Sequence, residues 1–120
     1  MATTILIVDD HSGFRRTARA LLEAEGFEVV GEAANAVQAL RAAKELRPDL
    51  VLLDVQLPDF DGFEVAERLT GNGAGPTVVI TSSRDGSDFG PLVARSGARG
   101  FIPKGDLSGE ALTALLEPIG

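Results

Sequence analysis

The sequence predicts a doubly wound α/β fold, in which a five-stranded parallel sheet is covered by helices on both faces. Short apolar runs alternate with segments of helical periodicity along the 120 residues. This alternation favours parallel strands, because right-handed crossovers place the connecting helices on the faces of the sheet. A strand covered on both faces should be apolar throughout, and the run at Leu50–Leu53 has that character.

The first two strand–helix units follow from apolar spacing and from residues that end helices. An apolar run at Thr4–Val8 predicts the first strand, and helical spacing predicts a helix over Ser12–Glu25. Gly26 ends that helix, because glycine readily adopts the left-handed conformation found after helix C-termini. Phe27–Ala33 interleaves glutamate with apolar residues, which favours a half-exposed edge strand. The second helix occupies Asn35–Leu46, with the asparagine as its N-cap.

The middle of the chain contains the third and fourth strands. The apolar run Leu50–Leu53 is followed by a predicted helix at Gly62–Leu69, a glycine-rich TGNGAG loop and a fourth strand at Thr77–Thr81. The helix after this strand is the weakest predicted element, because Gly90 and Pro91 fall where the middle of a helix would usually lie. A proline is tolerated only in the first turn of a helix, so the helix should begin near Pro91. We therefore expect a short helix over Pro91–Gly97, preceded by an irregular segment at 84–89.

The last predicted elements are a short fifth strand at Gly100–Ile102 and a helix at Leu107–Leu116. Asp106 or Ser108 is suitable as the N-cap of that helix. Five such strands fit the flavodoxin-like order 2-1-3-4-5, in which the first and third strands flank the topological switch point. A functional site is expected outside the carboxyl ends of those two strands.

Composition and charge narrow the function classes. The chain is 44% hydrophobic and 24% charged, which is typical of a compact folded domain, and residues 1–120 suffice for one. A net charge of −7 argues against direct nucleic-acid binding. The absence of cysteine excludes disulfides and thiolate metal sites. No signal peptide or membrane span is evident, so we expect a cytoplasmic domain. Residues 1–120 leave no room for a DNA-binding module, and the sequence fits either a single-domain protein or one part of a longer protein.

Three carboxylates mark the predicted site. Asp9 and Asp10 follow the first strand, and Asp54 closes the third. Carboxylates that converge there repel one another, so at least one should resist ionisation unless a cation binds. The ligands are hard oxygens, which favours Mg²⁺ over zinc. The alternative for the acidic pair is simple capping of a strand-to-helix turn.

Thr81 and Lys104 extend the chemistry of this sheet edge. Thr81 ends the fourth strand and Lys104 follows the fifth, so a hydroxyl and an ammonium should lie near the carboxylates. This set suits phosphoryl transfer, where positioning and charge neutralisation provide nearly all of the catalysis. Taken singly, Thr81 is more readily explained as a strand-end residue and Lys104 as a solvated one.

At this point the sequence resembles a known family. The motifs IVDDH, LLDVQLPDFDG, VVITS and GFIPK are similar, in order and over nearly the whole chain, to those of response-regulator receiver domains. The resemblance implies that Asp54 accepts a phosphoryl group from a phosphohistidine or a small phosphodonor. It implies Mg²⁺ ligands at Asp9, Asp10, Asp54 and the backbone carbonyl of Gln56, and phosphoryl contacts from Thr81 and Lys104. Phe101 matches an aromatic switch residue, although ordinary core packing would explain it as well.

The predicted function is a phosphorylation-dependent signalling switch with self-catalysed phosphotransfer and autodephosphorylation but no other enzymatic activity. Its expected partners are a histidine kinase or phosphotransfer protein, a downstream target bound through the fourth helix, fifth strand and fifth helix, and a second copy in a homodimer. One alternative is an interaction module that works without phosphorylation. A phosphatase would need a second aspartate where Gln56 stands, and a flavin carrier would need a hydroxyl-rich loop after the first strand.

Several local features carry their own expectations. Gly105 follows the lysine where many relatives have a proline, so we expect a trans peptide bond and a more mobile loop there. His11 is expected to be solvated or to cap a helix. Asp59 and Asp61 are expected to form the turn before the third helix. A small Ser83 should leave water access to the phosphorylated site, with dephosphorylation of ordinary speed.

Overall fold

The computed structural model describes residues 2–71, 75–83 and 89–116. Five strands and five α-helices alternate along this part of the chain, as predicted. In order they are β1 (Thr4–Val8), α1 (Ser12–Ala24), β2 (Glu28–Ala33), α2 (Ala36–Leu46), β3 (Leu50–Asp54), α3 (Gly62–Thr70), β4 (Thr77–Ser82), α4 (Gly90–Arg95), β5 (Gly100–Pro103) and α5 (Gly109–Leu116).

The sheet is parallel and has the order β2-β1-β3-β4-β5, which confirms the predicted topology. The central strand β3 is buried over its whole length, in agreement with its apolar sequence. β2 lies at an edge, as its interleaved glutamates indicated. The carboxyl ends of β1 and β3 are therefore adjacent, and the chain leaves them toward opposite faces of the sheet.

Two apolar layers hold the helices to the sheet. On one face, α1 and α5 pack against alternate strand residues that include Ile5, Leu50 and Leu52. On the other face, α2 and α3 bury small and apolar side chains against the neighbouring set, with Leu6 and Leu53 among them. Because successive strand residues point to opposite faces, one strand supplies both cores.

The helix boundaries follow the predicted capping residues at most positions. Asn35 Oδ1 accepts a hydrogen bond from the backbone N–H of Gln38 at 2.9 Å and caps α2. Gly26 follows α1 with φ +96°, a conformation that strongly favours glycine. α4 is short and carries Pro91 in its first turn, as expected. Residues 84–88, where an irregular segment was predicted, and residues 72–74 of the glycine-rich loop lie outside the described residues.

The start of α5 is a correction. The helix begins at Gly109 rather than Leu107, and Ser108 Oγ caps it by accepting from the N–H of Ala111 at 3.0 Å. Asp106, the alternative cap, lies in a 3-10 turn over Lys104–Asp106. No described peptide bond is cis, so the bond after Lys104 is trans, as predicted. None of the described helices combines the length and the apolar character that crossing a membrane requires.

Candidate functional site

The predicted site residues meet at the carboxyl edge of the sheet. Asp9 follows β1 and is tied to β2 by its N–H, which donates to the carbonyl of Ala33 at 3.0 Å. Asp54 ends β3 and stands in register with Thr81 on β4. The N–H of Val55 donates to the carbonyl of Thr81 at 3.0 Å, so the ladder continues past the phospho-acceptor candidate. Rigid strands therefore hold these side chains.

Lys104 lies between the two buried carboxylates. Its Nζ is 2.7 Å from Asp9 Oδ2 and 3.4 Å from Asp54 Oδ2. Asp54 Oδ1 accepts a hydrogen bond from the N–H of Gln56 at 3.1 Å. Each oxygen of Asp54 thus has a positively polarised neighbour, and the lysine is closer to Asp9 than to Asp54.

Burial and charge shift the proton affinities of the pocket. Asp54 is 3% exposed, and this burial, with the nearby charge of Asp9, raises the pKa of its carboxyl above the ordinary value. The N–H of Gln56 and the ammonium of Lys104 act in the opposite direction but do not outweigh burial. For Lys104, burial acts to lower the pKa, yet the two carboxylates raise it overall. The carboxylates thus repel as the sequence predicted, and a cation would relieve this.

Four side chains that could hold a metal ion lie close together in the pocket, two of them buried and two exposed. One ligand atom each from Asp9, Asp10, His11 and Asp54 lies within 4.8 Å of all the others. The carboxylate oxygens suit Mg²⁺, which prefers hard ligands. Gln56 contacts Asp54 through its N–H, and its backbone carbonyl remains a predicted ligand. The residues present therefore fit a divalent cation at this edge.

The hydroxyl of Thr81 fits a further ligand of the pocket. Thr81 is 1% exposed, and its Oγ1 has no hydrogen-bond partner within the described residues. A buried hydroxyl without a partner costs free energy, so such atoms commonly mark a functional contact. Because register neighbours in a parallel sheet point to the same face, this hydroxyl lies on the side of Asp54. An oxygen of a phosphoryl group on Asp54 would supply the missing acceptor.

Two nearby aspartates, which were expected to form the turn before the third helix, both cap helices. Asp61 Oδ1 accepts from the N–H of Phe63 at 2.8 Å at the start of α3. Asp59 accepts from the N–H groups of Ala36 and Val37 at 2.8 and 3.2 Å, so it caps α2 rather than only shaping its own turn. These hydrogen bonds lower the pKa of Asp59, and the hydrogen bond from the N–H of Ala36 contributes most to the shift.

Phe101 belongs to a row of aromatic rings beside the pocket. Its ring centroid is 5.9 Å from that of Phe89, which in turn is 5.6 Å from Phe63. Phe101 is half-buried, and Phe89 stands at the start of α4. A movement of the Phe101 ring would therefore act by direct contact on Phe89, at the start of α4.

Three residues make contacts at the site that the sequence did not predict. Lys104 Nζ lies 4.7 Å from the ring centroid of Phe14, a cation–π contact made across two elements. Arg15 Nη1 donates to the backbone carbonyl of Asp9 at 2.6 Å and so holds the acidic turn. His11 was expected to be solvated or to cap α1. Its side chain is 71% exposed, which agrees with the first of these alternatives, and it occupies the N-cap position without a capping bond. Its Nδ1 lies 3.1 Å from Asp9 Oδ1 and 3.0 Å from Asp10 Oδ1, contacts that the sequence did not predict. The one signal in the sequence is that all three residues lie just before or within the first turn of α1, which directly follows Asp9 and Asp10.

Comparison with known proteins identifies the family to which the chain belongs. The family model described as response regulator receiver domain matches residues 5–117. BvgA of Bordetella pertussis, named as a positive transcription regulator of virulence factors, is 40% identical over 114 residues, which covers 95% of this chain and 54% of the relative. A protein-glutamate methylesterase/protein-glutamine glutaminase of Alkalilimnicola ehrlichii is 38% identical over 114 residues, which covers 92% of this chain and 29% of the relative.

A solved structure supports the fold assignment. The two-component response regulator of the LuxR family from Aurantimonas sp. SI85-9A1 superposes with a TM-score of 0.85 at 32% identity, covering 96% of this chain and 83% of that one. This chain spans about half the length of the first curated relatives it matches. The acidic pocket, the sheet order and the family match agree, and the chain belongs to the response-regulator receiver domain family.

Proposed function

We propose that residues 1–120 form one receiver domain that works as a phosphorylation-dependent switch, with Asp54 as the phospho-acceptor. The observation that carries this proposal is the surroundings of Asp54: a buried carboxylate beside Lys104, with the unpartnered hydroxyl of Thr81 in register. A phosphorylated aspartate needs a cation, an ammonium and a hydroxyl at its oxygens, and this edge of the sheet offers groups for all three.

The proposed transfer needs little covalent chemistry from the protein. A carboxylate oxygen of Asp54 attacks the phosphorus of a phosphohistidine, the P–N bond breaks, and the imidazole leaves with the bonding electron pair and takes up a proton. Lys104 neutralises charge on the phosphoryl oxygens, and Thr81 Oγ1 donates to one of them. Asp9, Asp10, Asp54 and the backbone carbonyl of Gln56 would hold Mg²⁺, which would supply further charge neutralisation.

The proposed response runs from the phosphoryl group to the face formed by α4, β5 and α5. When Thr81 moves toward the phosphoryl oxygen, space opens for Phe101 to rotate inward. The ring contact between Phe101 and Phe89 supports a path to α4, because Phe89 stands directly before that helix. The buried layer behind β4 is closely packed, so a small shift favours one of two discrete arrangements.

The proposed partners follow from this role. A histidine kinase or a phosphotransfer protein would donate the phosphoryl group, and a downstream protein would read the α4–β5–α5 face. A net charge of −7 argues against nucleic-acid contact by this domain, so transcriptional output of the kind named for BvgA would need other parts of a longer protein. We place the domain in the cytoplasm, without membrane contact, and we include a second copy of the chain, in a homodimer, among its proposed partners. No enzymatic activity beyond self-catalysed phosphotransfer and autodephosphorylation is proposed.

Mass spectrometry after treatment with acetyl phosphate and Mg²⁺ tests the proposal. The unchanged chain should gain the mass of one phosphoryl group, and Asp54→Ala should gain none. Asp59→Asn is the matched control, because it removes a carboxylate that caps α2 outside the pocket and should label normally. Labelling that survives Asp54→Ala would contradict the assignment. Failure of the unchanged chain to label would favour an interaction module that works without phosphorylation.

A further inference from the structure

We propose that His11 adds a nitrogen ligand to the acidic pocket, so that the site binds Zn²⁺ and similar transition-metal ions in competition with Mg²⁺. This inference rests on the proposed function only in using the same pocket. His11 Nδ1 lies 3.1 Å from Asp9 Oδ1 and 3.0 Å from Asp10 Oδ1. The imidazole is therefore placed against two carboxylates at the mouth of the site.

The spacing of these atoms matches the edges of a metal coordination shell. Zinc binds imidazole nitrogen and carboxylate oxygen at about 2.1 Å. Two ligands at that distance are separated by about 3.0 Å at a right angle and about 3.4 Å at a tetrahedral angle. The two contacts of Nδ1 have lengths of this kind, which are also those of hydrogen bonds. One ligand atom each from Asp9, Asp10, His11 and Asp54 lies within 4.8 Å of all the others, so one ion could be bound after small rotations of the side chains.

The backbone holds His11 in this position. Its N–H donates to Asp9 Oδ1 at 2.8 Å, and its extended φ and ψ of −92° and 108° place it just before α1. The side chain is 71% exposed and makes no capping bond, so turning toward an ion would break no helix contact. Nε2 can remain in solvent as the protonated nitrogen while Nδ1 binds the metal.

The opposite side of the pocket leaves these ligand atoms available. Lys104 pairs with Asp9 Oδ2, so Oδ1 is the oxygen that faces the histidine. The buried, unpartnered Oγ1 of Thr81, in register with Asp54, indicates that this pocket receives a polar ligand. The site thus combines oxygen atoms from three aspartates with one nitrogen.

Metal chemistry separates the role of His11 from that of the carboxylates. Mg²⁺ prefers oxygen ligands and keeps several waters, so an imidazole adds little to its binding. Zn²⁺ and Cu²⁺ bind imidazole well and lie above magnesium-like ions in affinity for mixed nitrogen and oxygen sites. His11 should therefore decide the preference of the pocket among metals while leaving its affinity for Mg²⁺ nearly unchanged.

The chain is well suited to a direct test, because His11 is its only histidine and it has no cysteine. With any affinity tag removed, Zn²⁺ alone is titrated against a chromogenic chelator, and Mg²⁺ binding is followed by NMR shifts. His11→Ala should weaken Zn²⁺ binding at least about tenfold, the loss that even an outer-shell partner typically causes. Mg²⁺ affinity should change little in the same variant, and Asp59→Asn should leave the affinity for both ions unchanged. Cu²⁺ added as a spectroscopic probe should show nitrogen coupling in electron paramagnetic resonance, and this should disappear in His11→Ala.

Equal Zn²⁺ affinity in the unchanged chain and in His11→Ala, or an absence of imidazole coupling to Cu²⁺, would overturn the inference. Labelling of Asp54 by acetyl phosphate with Mg²⁺ is measured in parallel. Normal labelling with Zn²⁺ binding independent of His11 would refute the metal preference alone. Zn²⁺ binding that depends on His11 in a chain that does not label would support the inference and refute the proposed phospho-acceptor function.

Discussion

Replacing Thr81 with valine should stabilise the domain, although most changes in a protein core destabilise it. The side chain is 1% exposed and its Oγ1 has no partner in the described part of the chain. A buried hydroxyl left unsatisfied costs about 1 to 3 kcal/mol, and valine fills nearly the same volume without that group. We expect Thr81→Val to raise the free energy of unfolding by about 1 kcal/mol.

Urea denaturation measures this change directly. For a slope of about 2 kcal/mol per molar, the unfolding midpoint should rise by about 0.5 M with an unchanged slope. The matched control is Thr4→Val, because Thr4 Oγ1 donates to Asp49 Oδ2 at 3.1 Å and accepts from the N–H of Asp49 at 2.8 Å. That variant should lose stability, by about 1 kcal/mol.

A Thr81→Val variant that loses as much stability as Thr4→Val would refute the reasoning, since the Thr81 hydroxyl would then be satisfied in the folded protein. The same substitution should weaken the response to phosphorylation, because the proposed hydrogen bond to the phosphoryl group is lost. Opposite signs for stability and response are expected when a residue is kept for function at the expense of packing.

Three further predictions concern the surroundings of the site. Phe14→Leu removes the aromatic face that Lys104 contacts, a cation–π interaction worth about 0.5 to 1 kcal/mol. This substitution should slow labelling by acetyl phosphate a few-fold, whereas Phe14→Tyr, which keeps an aromatic ring, should label at the rate of the unchanged chain. The hydrogen bond from Arg19 is the main reason that the pKa of Glu32 lies below its ordinary value. The ionised Glu32 carboxylate therefore stabilises the fold fully at a pH above its ordinary pKa, and this stabilisation is lost as pH falls through the lower pKa of the folded state. Glu32→Gln should reduce the loss of stability in acid, measured by urea denaturation at a series of pH values. Gly62→Ala should lower the free energy of unfolding by about 1 to 3 kcal/mol, because the new Cβ would lie 2.5 Å from the backbone carbonyl oxygen of Asp54. Thermal denaturation measures this loss. The single glycine of α1 has open space around it, and its replacement by alanine should be tolerated.

The fold could be predicted from the sequence because strands and helices are specified by short, local patterns of apolar and capping residues. An apolar run such as Leu50–Leu53 identifies a buried strand, and Asn35 identifies the start of a helix, without knowledge of any distant residue. Parallel strands also bring their carboxyl ends to one edge. For that reason Asp9, Asp54 and Lys104 could be grouped from their positions after strands alone.

Contacts between side chains on different elements could not be predicted in this way. The sequence placed Lys104 near the carboxylates but did not determine that it lies closer to Asp9 than to Asp54. It did not place Phe14 beside that lysine or Asp59 at the start of α2. Each of these contacts depends on the packing angle and register of elements far apart in the chain.

The sequence by itself determined the strand order, the acidic edge and the residue types that suit phosphoryl chemistry. Only the tertiary structure decided that His11 lies over Asp9 and Asp10 instead of capping α1. The physical reason is that spacing along the chain defines the edge at which a side chain emerges. Its final direction depends on the charges and volumes that neighbouring elements bring to that edge.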